Sequence, residues 1–352
     1  MGYRYIGSKD KLAGILIDKI HQHCPDARSV IDLMAGTGLF SLALRKHGYR
    51  VIASDVMTYS YHHLKVNLLL NAAPKFEKLS SVITLKNGYD SVLEYLNSVS
   101  PISGFFAKEY SPSGIPSAGC KPRMYFTSDN AKKIDAIRNT IKTWHSKGLT
   151  NDIEHSLLLH DLIMAANDIA NIAGTYGHYL SHFVKRAEDA IRLTPTIFET
   201  NSNIVGHEIR KGYAEEIAGE LEADVCYIDP PYIKRQYAAN YHILETLARE
   251  DEPEAIGESG LRPWRDQYSN FCSKIKIRKS FEQIINNIHC NNIFVSYSED
   301  GLLSLNELMS FLQQYGDVDL AEIRYKRFRS NNSSKGLELT EYLIYLQKKE
   351  MV

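Results

Sequence analysis

Arg28-Ser29-Val30-Ile31-Asp32-Leu33 is a short run rich in β-branched residues, and Ala35-Gly36-Thr37-Gly38 follows it as a turn. Residues 39–47 then carry a helical pattern, and 49–54 form a second short apolar run that ends at Asp55. Strand, glycine turn, helix and strand make a βαβ unit, the building block of parallel sheets with helices on both faces. Apolar runs of the same kind return at 223–228, 292–297 and 341–347.

Between these stretches the pattern changes. Residues 101–127 are rich in Ser, Gly and Pro and read as a long loop. In 128–147, Ile134, Ile137, Ile141 and Trp144 fall at helical spacing, and in 157–173 so do Leu158, Leu162, Ala166, Ile169 and Ala173. Both stripes read as core packing. The expected fold class is α/β: a discontinuous domain from 1–100 and 201–352, with 101–200 as a mainly helical insertion. No internal repeat is visible.

The composition is that of an ordinary globular protein: 352 residues, 44% hydrophobic and 24% charged. Lys and Arg total 41 against 42 acids, a formal charge of −1, so a nucleic-acid partner would have to be met by local patches. Five cysteines at 24, 120, 226, 272 and 290 make an odd set with no C-x-x-C pair. They read as reduced thiols of a cytosolic protein, without a disulfide framework or a metal site. The 13 histidines show no metal-ligand spacing, and His62-His63 is expected on the surface of a helix. The opening Met-Gly-Tyr-Arg-Tyr-Ile has no apolar core of a signal peptide, and no run of 18 apolar residues suggests a membrane span.

The most specific motif is Asp229-Pro230-Pro231-Tyr232, directly after the apolar run 223–228. It puts a carboxylate, two prolines and an aromatic ring at the carboxyl end of a strand, where open α/β sheets bind ligands. Prolines fix φ and lack an N–H, so the turn is rigid and its carbonyls meet no competing amide. A carboxylate beside a backbone carbonyl suits an exocyclic amine, which presents two N–H donors in one plane. A tyrosine ring can lie flat on the attached heterocycle. The plainer reading is a proline-rich turn that caps a strand.

Asp32 and the glycines Gly36 and Gly38 form the second signal. Glycines after a strand let the backbone approach a ligand, and the helix start that follows favours an anionic group. Asp55, 17 residues after Gly38, stands where an acid can hold both hydroxyls of a ribose. The third glycine of a dinucleotide fingerprint is missing, its place taken by Ser41, which disfavours a dehydrogenase. A third signal, Arg4-Tyr5-Ile6-Gly7-Ser8-Lys9, opens a helix that runs over 12–20; it reads as a cap, or as a tyrosine and a lysine flanking a carboxylate ligand.

Charge is locally uneven. Residues 324–335 hold Arg324, Lys326, Arg327, Arg329 and Lys335 with no acid, interleaved with Tyr325 and Phe328. Residues 274–279 add Lys274, Lys276, Arg278 and Lys279. A charge run is usually a solvated face, but cations mixed with aromatics fit phosphate and base contact. The 324–335 segment is expected to be a loop between two C-terminal strands, with Lys326, Arg327, Arg329, Lys335 and Lys274 on DNA phosphates.

Taken in order, Tyr5-Ile6-Gly7-Ser8-Lys9, Asp32-Leu33-Met34-Ala35-Gly36-Thr37-Gly38, Asp55 and Asp229-Pro230-Pro231-Tyr232 resemble the alpha-group DNA adenine methyltransferases, the deoxyadenosine methylase family. Gln236-Tyr237-Ala238-Ala239-Asn240-Tyr241-His242-Ile243-Leu244-Glu245-Thr246, Phe271-Cys272-Ser273-Lys274 and Val295-Ser296-Tyr297-Ser298 resemble a restriction–modification subgroup, so the likeness covers most of the chain. Met34-Ala35 departs from the family, which often has a bulky aromatic there.

The resemblance implies a Rossmann-like S-adenosylmethionine-dependent sheet with a target-recognition insertion. It implies cofactor contacts at Tyr5, Lys9, Asp32, Gly36, Gly38, Asp55, Val56 and Asp229. Asp229 and the Pro230 carbonyl would take the target amine, in a turn completed by Pro231, and Tyr232 would stack on a flipped base. It further implies methylation of the adenine 6-amino group in double-stranded DNA in a bacterial cytosol or nucleoid. A cognate restriction endonuclease would act on the same site without stable association. The alternatives are a cytosine 4-amino or RNA adenine methylase, or a non-catalytic DNA-binding subunit of the same fold.

Overall fold

A computed structural model describes residues 5, 7, 9, 11–117, 119–326 and 338–349. The chain divides into two compact units. One comprises residues 7–69, 201–237 and 267–352; the other comprises 1–6, 70–200 and 238–266.

The first of these units is an α/β sheet. Its strands are β1 (Ser29–Asp32), β2 (Arg50–Asp55), β3 (Glu208–Lys211), β4 (Val225–Ile228), β5 (Asn292–Ser298), β6 (Gly316–Lys326) and β7 (Glu338–Lys348). They form one seven-stranded Rossmann-like sheet in the order β3-β2-β1-β4-β5-β7-β6. The first five strands pair in parallel. β7 runs antiparallel to both β5 and β6. The glycine turn, the helix Leu39–Lys46 and the helix Ala13–His23 fall where the sequence expected them, within a few residues.

Burial on both faces follows from side-chain alternation along each strand. Val30, Val51, Ala53, Val225, Tyr227 and Phe294 point into one apolar cluster, with Leu16, Ile20, Phe40 and Leu44 of the two helices just named. Their neighbours Ile31, Ile52, Cys226, Ile228, Ile293 and Val295 point into another, packed by Phe281, Ile284 and Leu308 of the helices Ile277–Asn287 and Leu305–Leu312.

Chain order reverses between β1 and β4. From β1 the chain moves outward through β2 and β3; from β4 it moves the other way. Asp32 pairs in register with Tyr227, so the carboxyl ends of the two strands lie side by side. This is the switch point where open α/β sheets leave a ligand crevice.

The other unit is mainly helical: Tyr89–Ser98, Phe105–Tyr110, Ser128–Ser146, Asp152–Ile169 and His242–Arg249 are its longer helices. The helix Phe105–Tyr110 lies inside the stretch that the sequence suggested was a loop. No local cap announces it. Its first backbone N–H groups are satisfied by Asp135, whose carboxylate accepts from Gly104 (3.0 Å), Phe106 (2.9 Å) and Ala107 (2.8 Å). A helix start capped from a distant helix leaves no local signature.

Three further expectations are corrected. His62 and His63 are buried on the helix Thr58–Leu69 rather than exposed. Arg324, Tyr325 and Lys326 belong to β6, not to a loop. β3 and β6 themselves were not anticipated, because Glu208-Ile209-Arg210-Lys211 is half exposed and charged, and β6 alternates acids with apolar residues.

Arg123 anchors the helical unit. It is fully buried, and its guanidinium donates to the carbonyls of Glu109, Ala255, Gly257 and Glu258 and to the Glu109 carboxylate at 2.8 Å. Glu109 is drawn below its ordinary range by Ser117 and Arg123 despite the opposing effect of burial. Replacing Arg123 by Met strands the Glu109 charge and four carbonyls, so Arg123→Met is expected to cost about 3–5 kcal/mol. Denaturant unfolding checks this, and a loss below about 1 kcal/mol would contradict the role.

Candidate active site

The glycine turn after β1 takes a left-handed backbone at Gly36 (φ +54°) and Gly38 (φ +73°), which L side chains resist. At Gly38 space is also limiting: a Cβ would sit 2.9 Å from Leu64 Cδ2 and 3.0 Å from Asn67 Nδ2. Close packing of this turn on the helix Thr58–Leu69 is thus one reason for glycine there. The turn is tied to the next strand by its backbone. Ala35 N–H donates to the Ser54 carbonyl (2.9 Å), and Gly36 N–H donates to Asp55 Oδ2 (2.8 Å).

Asp55 stands half-buried at the end of β2. Its other oxygen, Oδ1, accepts from Met57 N–H at 2.8 Å, so the carboxylate is held in one orientation from two sides. Val56 is held as well: its carbonyl accepts from Gln267 Nε2 at 2.9 Å. Asp32, at the end of β1, is buried and accepts from the Ser41 hydroxyl at 2.5 Å. Burial, with Asp55 nearby, pushes its carboxyl up to about 7 against the effect of Ser41. Ser41, read from the sequence only as a missing glycine, is therefore the partner that orients Asp32.

On the other side of the switch point, β4 delivers Asp229 into a charged triad. Lys9 Nζ lies 3.2 Å from Asp229 Oδ1 and 2.6 Å from Glu341 Oε1. Glu341, on β7, is completely buried, and the same Oε1 accepts from the Ser296 hydroxyl of β5 at 2.6 Å. Oε2 of Glu341 and Oδ2 of Asp229 take no hydrogen bond from the described residues. Burial pushes the Asp229 carboxyl up to about 7; Lys9 opposes this and Glu341 adds to it. Burial also disfavours the Lys9 cation, but Asp229, Tyr232, Glu341 and Tyr227 outweigh it and hold the amine well above its ordinary value.

The Pro230-Pro231-Tyr232 turn is fixed by its neighbours. The carbonyl of Tyr232 accepts from Leu302 N–H at 2.9 Å, and the Tyr232 ring packs on Tyr297, 5.5 Å between centroids. Lys9 Nζ lies 5.6 Å from the Tyr232 ring centre. Behind the turn, Gln236 and Ser269 exchange two hydrogen bonds of 2.9 and 2.8 Å, and the Cys272 thiol donates to the Arg235 carbonyl. Cys272 is buried and its thiol is pushed up to about 12 by burial, so it is a packing group and no nucleophile.

The fold thus brings Lys9, Asp32, Gly36, Gly38, Asp55, Val56 and the 229–232 turn into one unit. Glu341 and Gln267 were missed by sequence reasoning, and Ser296 was read only as part of a motif, without a role. The available signal for Glu341 was a single acid at the head of the apolar run Tyr342-Leu343-Ile344, which reads equally well as a strand end. Tyr5 lies in the helical unit and stacks on Tyr241 (centroids 4.5 Å apart, planes 23° apart). Lys274 is exposed and 3.9 Å from Glu307, which Arg278 also approaches. Arg327, Arg329 and Lys335 lie outside the described residues, and Lys326 is a residue of β6. Among the described residues no cluster of His, Cys, Asp or Glu could hold a metal ion, and no helix is long and apolar enough to cross a membrane.

The chain thus carries a Rossmann-like sheet with an Asp-Pro-Pro-Tyr turn at its switch point, and comparisons with known proteins show its family. Residues 5–311 match the sequence pattern of the D12 class N6 adenine-specific DNA methyltransferases, and the chain belongs to that family. It is 37% identical over 355 aligned positions to the type II methyltransferase M.FokI of Planomicrobium okeanokoites and 33% identical to the modification methylase StsI of Streptococcus sanguinis. In both cases 98% of this chain is aligned, but it spans only 52% of the relative's length. It is also 33% identical to the type II methyltransferase M.NlaIII of Neisseria lactamica, aligned over 98% of this chain and 99% of the relative.

Proposed function

We propose that this chain transfers a methyl group from S-adenosylmethionine to the exocyclic 6-amino group of adenine in duplex DNA, as the modification enzyme of a restriction–modification system. The observation that carries this reading is the state of Asp229. Lys9 holds one carboxylate oxygen, and the other takes no hydrogen bond from the described residues, at the switch-point end of the strands where open α/β sheets bind ligands. Family membership and the modification methylases among its relatives support the same substrate class.

The donor set fits the proposed cofactor. Asp55 is anchored by two backbone N–H groups, one to each oxygen, which fixes the carboxylate's orientation at the strand end. The glycine turn beside it leaves backbone near Asp32 without side chains at 36 and 38. In this reading Asp55 and Val56 hold the nucleoside part, and the turn with Asp32 holds the methionine part. Tyr5 is proposed to add a contact from the N-terminal segment. When bound, the cofactor supplies an electrophilic methyl group carried on a sulfonium.

The chain's own residues prepare the amine. The aromatic amine is a poor nucleophile because its lone pair is delocalised into the ring. Asp229 Oδ2 accepts one N–H and the Pro230 carbonyl the other, which favours a tetrahedral nitrogen and stabilises the positive charge that develops on it. With its proton affinity raised to about 7, Asp229 can hold the proton that the nitrogen sheds. Lys9, held as a cation, keeps Asp229 oriented without competing for that proton. Tyr232, already braced by Tyr297, offers its face to the base, which must leave the duplex at a cost of a few kcal/mol.

The helical unit and the cations of 324–335, with Lys274, are proposed to contact the DNA. A bacterial cytosolic or nucleoid location, and an endonuclease that shares the site without stable association, belong to the same proposal.

Three measurements test it. Asp229→Ala should reduce single-turnover methylation of an adenine duplex by at least about 10²-fold while leaving the protein folded, because Lys9 keeps Glu341. Near-parental turnover of the purified variant would defeat the role. In the parent, the ionised form of Asp229 is the acceptor, so the single-turnover rate should rise with pH through about 7 and level off above it. A rate flat or falling over that range would contradict the assignment. For Asp55→Ala, calorimetric titration with S-adenosylmethionine should show binding weakened by about 1.5–3 kcal/mol, the worth of hydrogen bonds to a charged acceptor; an unchanged Kd would place the ribose elsewhere.

A further inference from the structure

Glu341 is a completely buried carboxylate on the antiparallel strand β7, far in sequence from every motif of the site. Lys9 cannot neutralise it and Asp229 together: one cation at 2.6 and 3.2 Å faces two carboxylates. Its closer contact is to Glu341, which is also the more buried of the two acids. Ser296 adds a second donor to the same oxygen of Glu341, whereas among the described residues Asp229 receives only Lys9. The arrangement is therefore asymmetric.

We infer that Glu341 is a positioning residue for methyl transfer: by sharing Lys9 with Asp229, it lets Lys9 hold Asp229 in place without cancelling its charge. This rests on the proposed transfer to an adenine amine. If Lys9 were paired with Asp229 alone, the carboxylate would be oriented equally well but would be a poorer acceptor for the substrate N–H. The other groups that act on this cluster do not substitute for Glu341. Burial holds the proton on the Tyr227 hydroxyl, and Asp32 of β1 acts on Asp229 more weakly than Glu341 does. The direction of the Asp229 proton affinity agrees, since Glu341 raises it and Lys9 lowers it.

The near-isosteric Glu341→Gln removes the charge and keeps the size. The midpoint of its single-turnover rate against pH should move to the acid side by roughly one unit, because Asp229 then has Lys9 to itself. Its plateau rate should fall about threefold to tenfold as the acceptor weakens. Glu341→Asp, which retains the charge, should keep the parental midpoint. A folded Glu341→Gln protein with the parental midpoint would overturn the inference, since a purely structural role lowers stability without moving the profile.

A second readout is independent of transfer: the pH dependence of Lys9 acylation by acetic anhydride, followed by mass spectrometry. Lys9 of the parent should stay unreactive beyond the ordinary lysine range, about 10.4, and become reactive at lower pH in Glu341→Gln. If the parent methylates no DNA, the proposed function fails, yet this labelling still decides whether Glu341 holds Lys9. If Glu341→Gln does not fold, parental Lys9 titrating at or below about 10.4 overturns the inference.

Discussion

One lysine shared by a buried and a half-buried carboxylate sets the character of this site. Burying an ionised group costs several kcal/mol unless it is paired, and here two carboxylates share a single positive charge. The balance leaves one negative charge incompletely compensated. That residual charge is what the proposed amine-binding role of the turn requires: a carboxylate fixed in place and still able to accept. A fully neutralised Asp229 would be stable and inert, while an unpaired one would be protonated or disordered at neutral pH.

The sheet exists to bring these groups together. Lys9 precedes the first helix, Asp229 ends β4, and Glu341 lies on β7, 332 residues from Lys9. β5 lies between β4 and β7, so Ser296 of β5 and Glu341 of β7 reach the same cluster from adjacent strands. β7 enters the sheet between β5 and β6, antiparallel to both. The crevice at β1 and β4 then supplies the second half of the site, where the glycine turn, Asp32 and Asp55 are cross-linked by backbone hydrogen bonds before any ligand arrives. Such preorganisation means that little reorganisation is needed when charge develops.

The helical unit is stabilised by a different device. Instead of a periodic apolar sheet it uses buried polar anchors, Arg123 on four carbonyls and Asp135 on a helix start. These anchors satisfy backbone groups of irregular segments, which allows loops rich in Ser, Gly and Pro to pack tightly.

Much was legible in the sequence alone. The βαβ unit, the parallel strands at 29–32, 50–55, 225–228 and 292–298, and the 229–232 turn follow from short-range patterns: alternation, glycines at turns, prolines after a strand. Those patterns are local because backbone sterics and one-strand burial are local, and they sufficed to place Asp32, Asp55 and Asp229 at strand ends. What the sequence could not convey was pairing across the chain. Asp135 as a distant helix cap, the burial of His62 and His63, Ser41 as the partner of Asp32, and the shared Lys9 all depend on which elements lie side by side. Glu341 shows the reason most plainly. In sequence it is one acid before an apolar strand; its charge acquires a role only because tertiary structure buries it against a lysine from the other end of the chain, where Coulomb interactions in a dry interior are no longer screened by water.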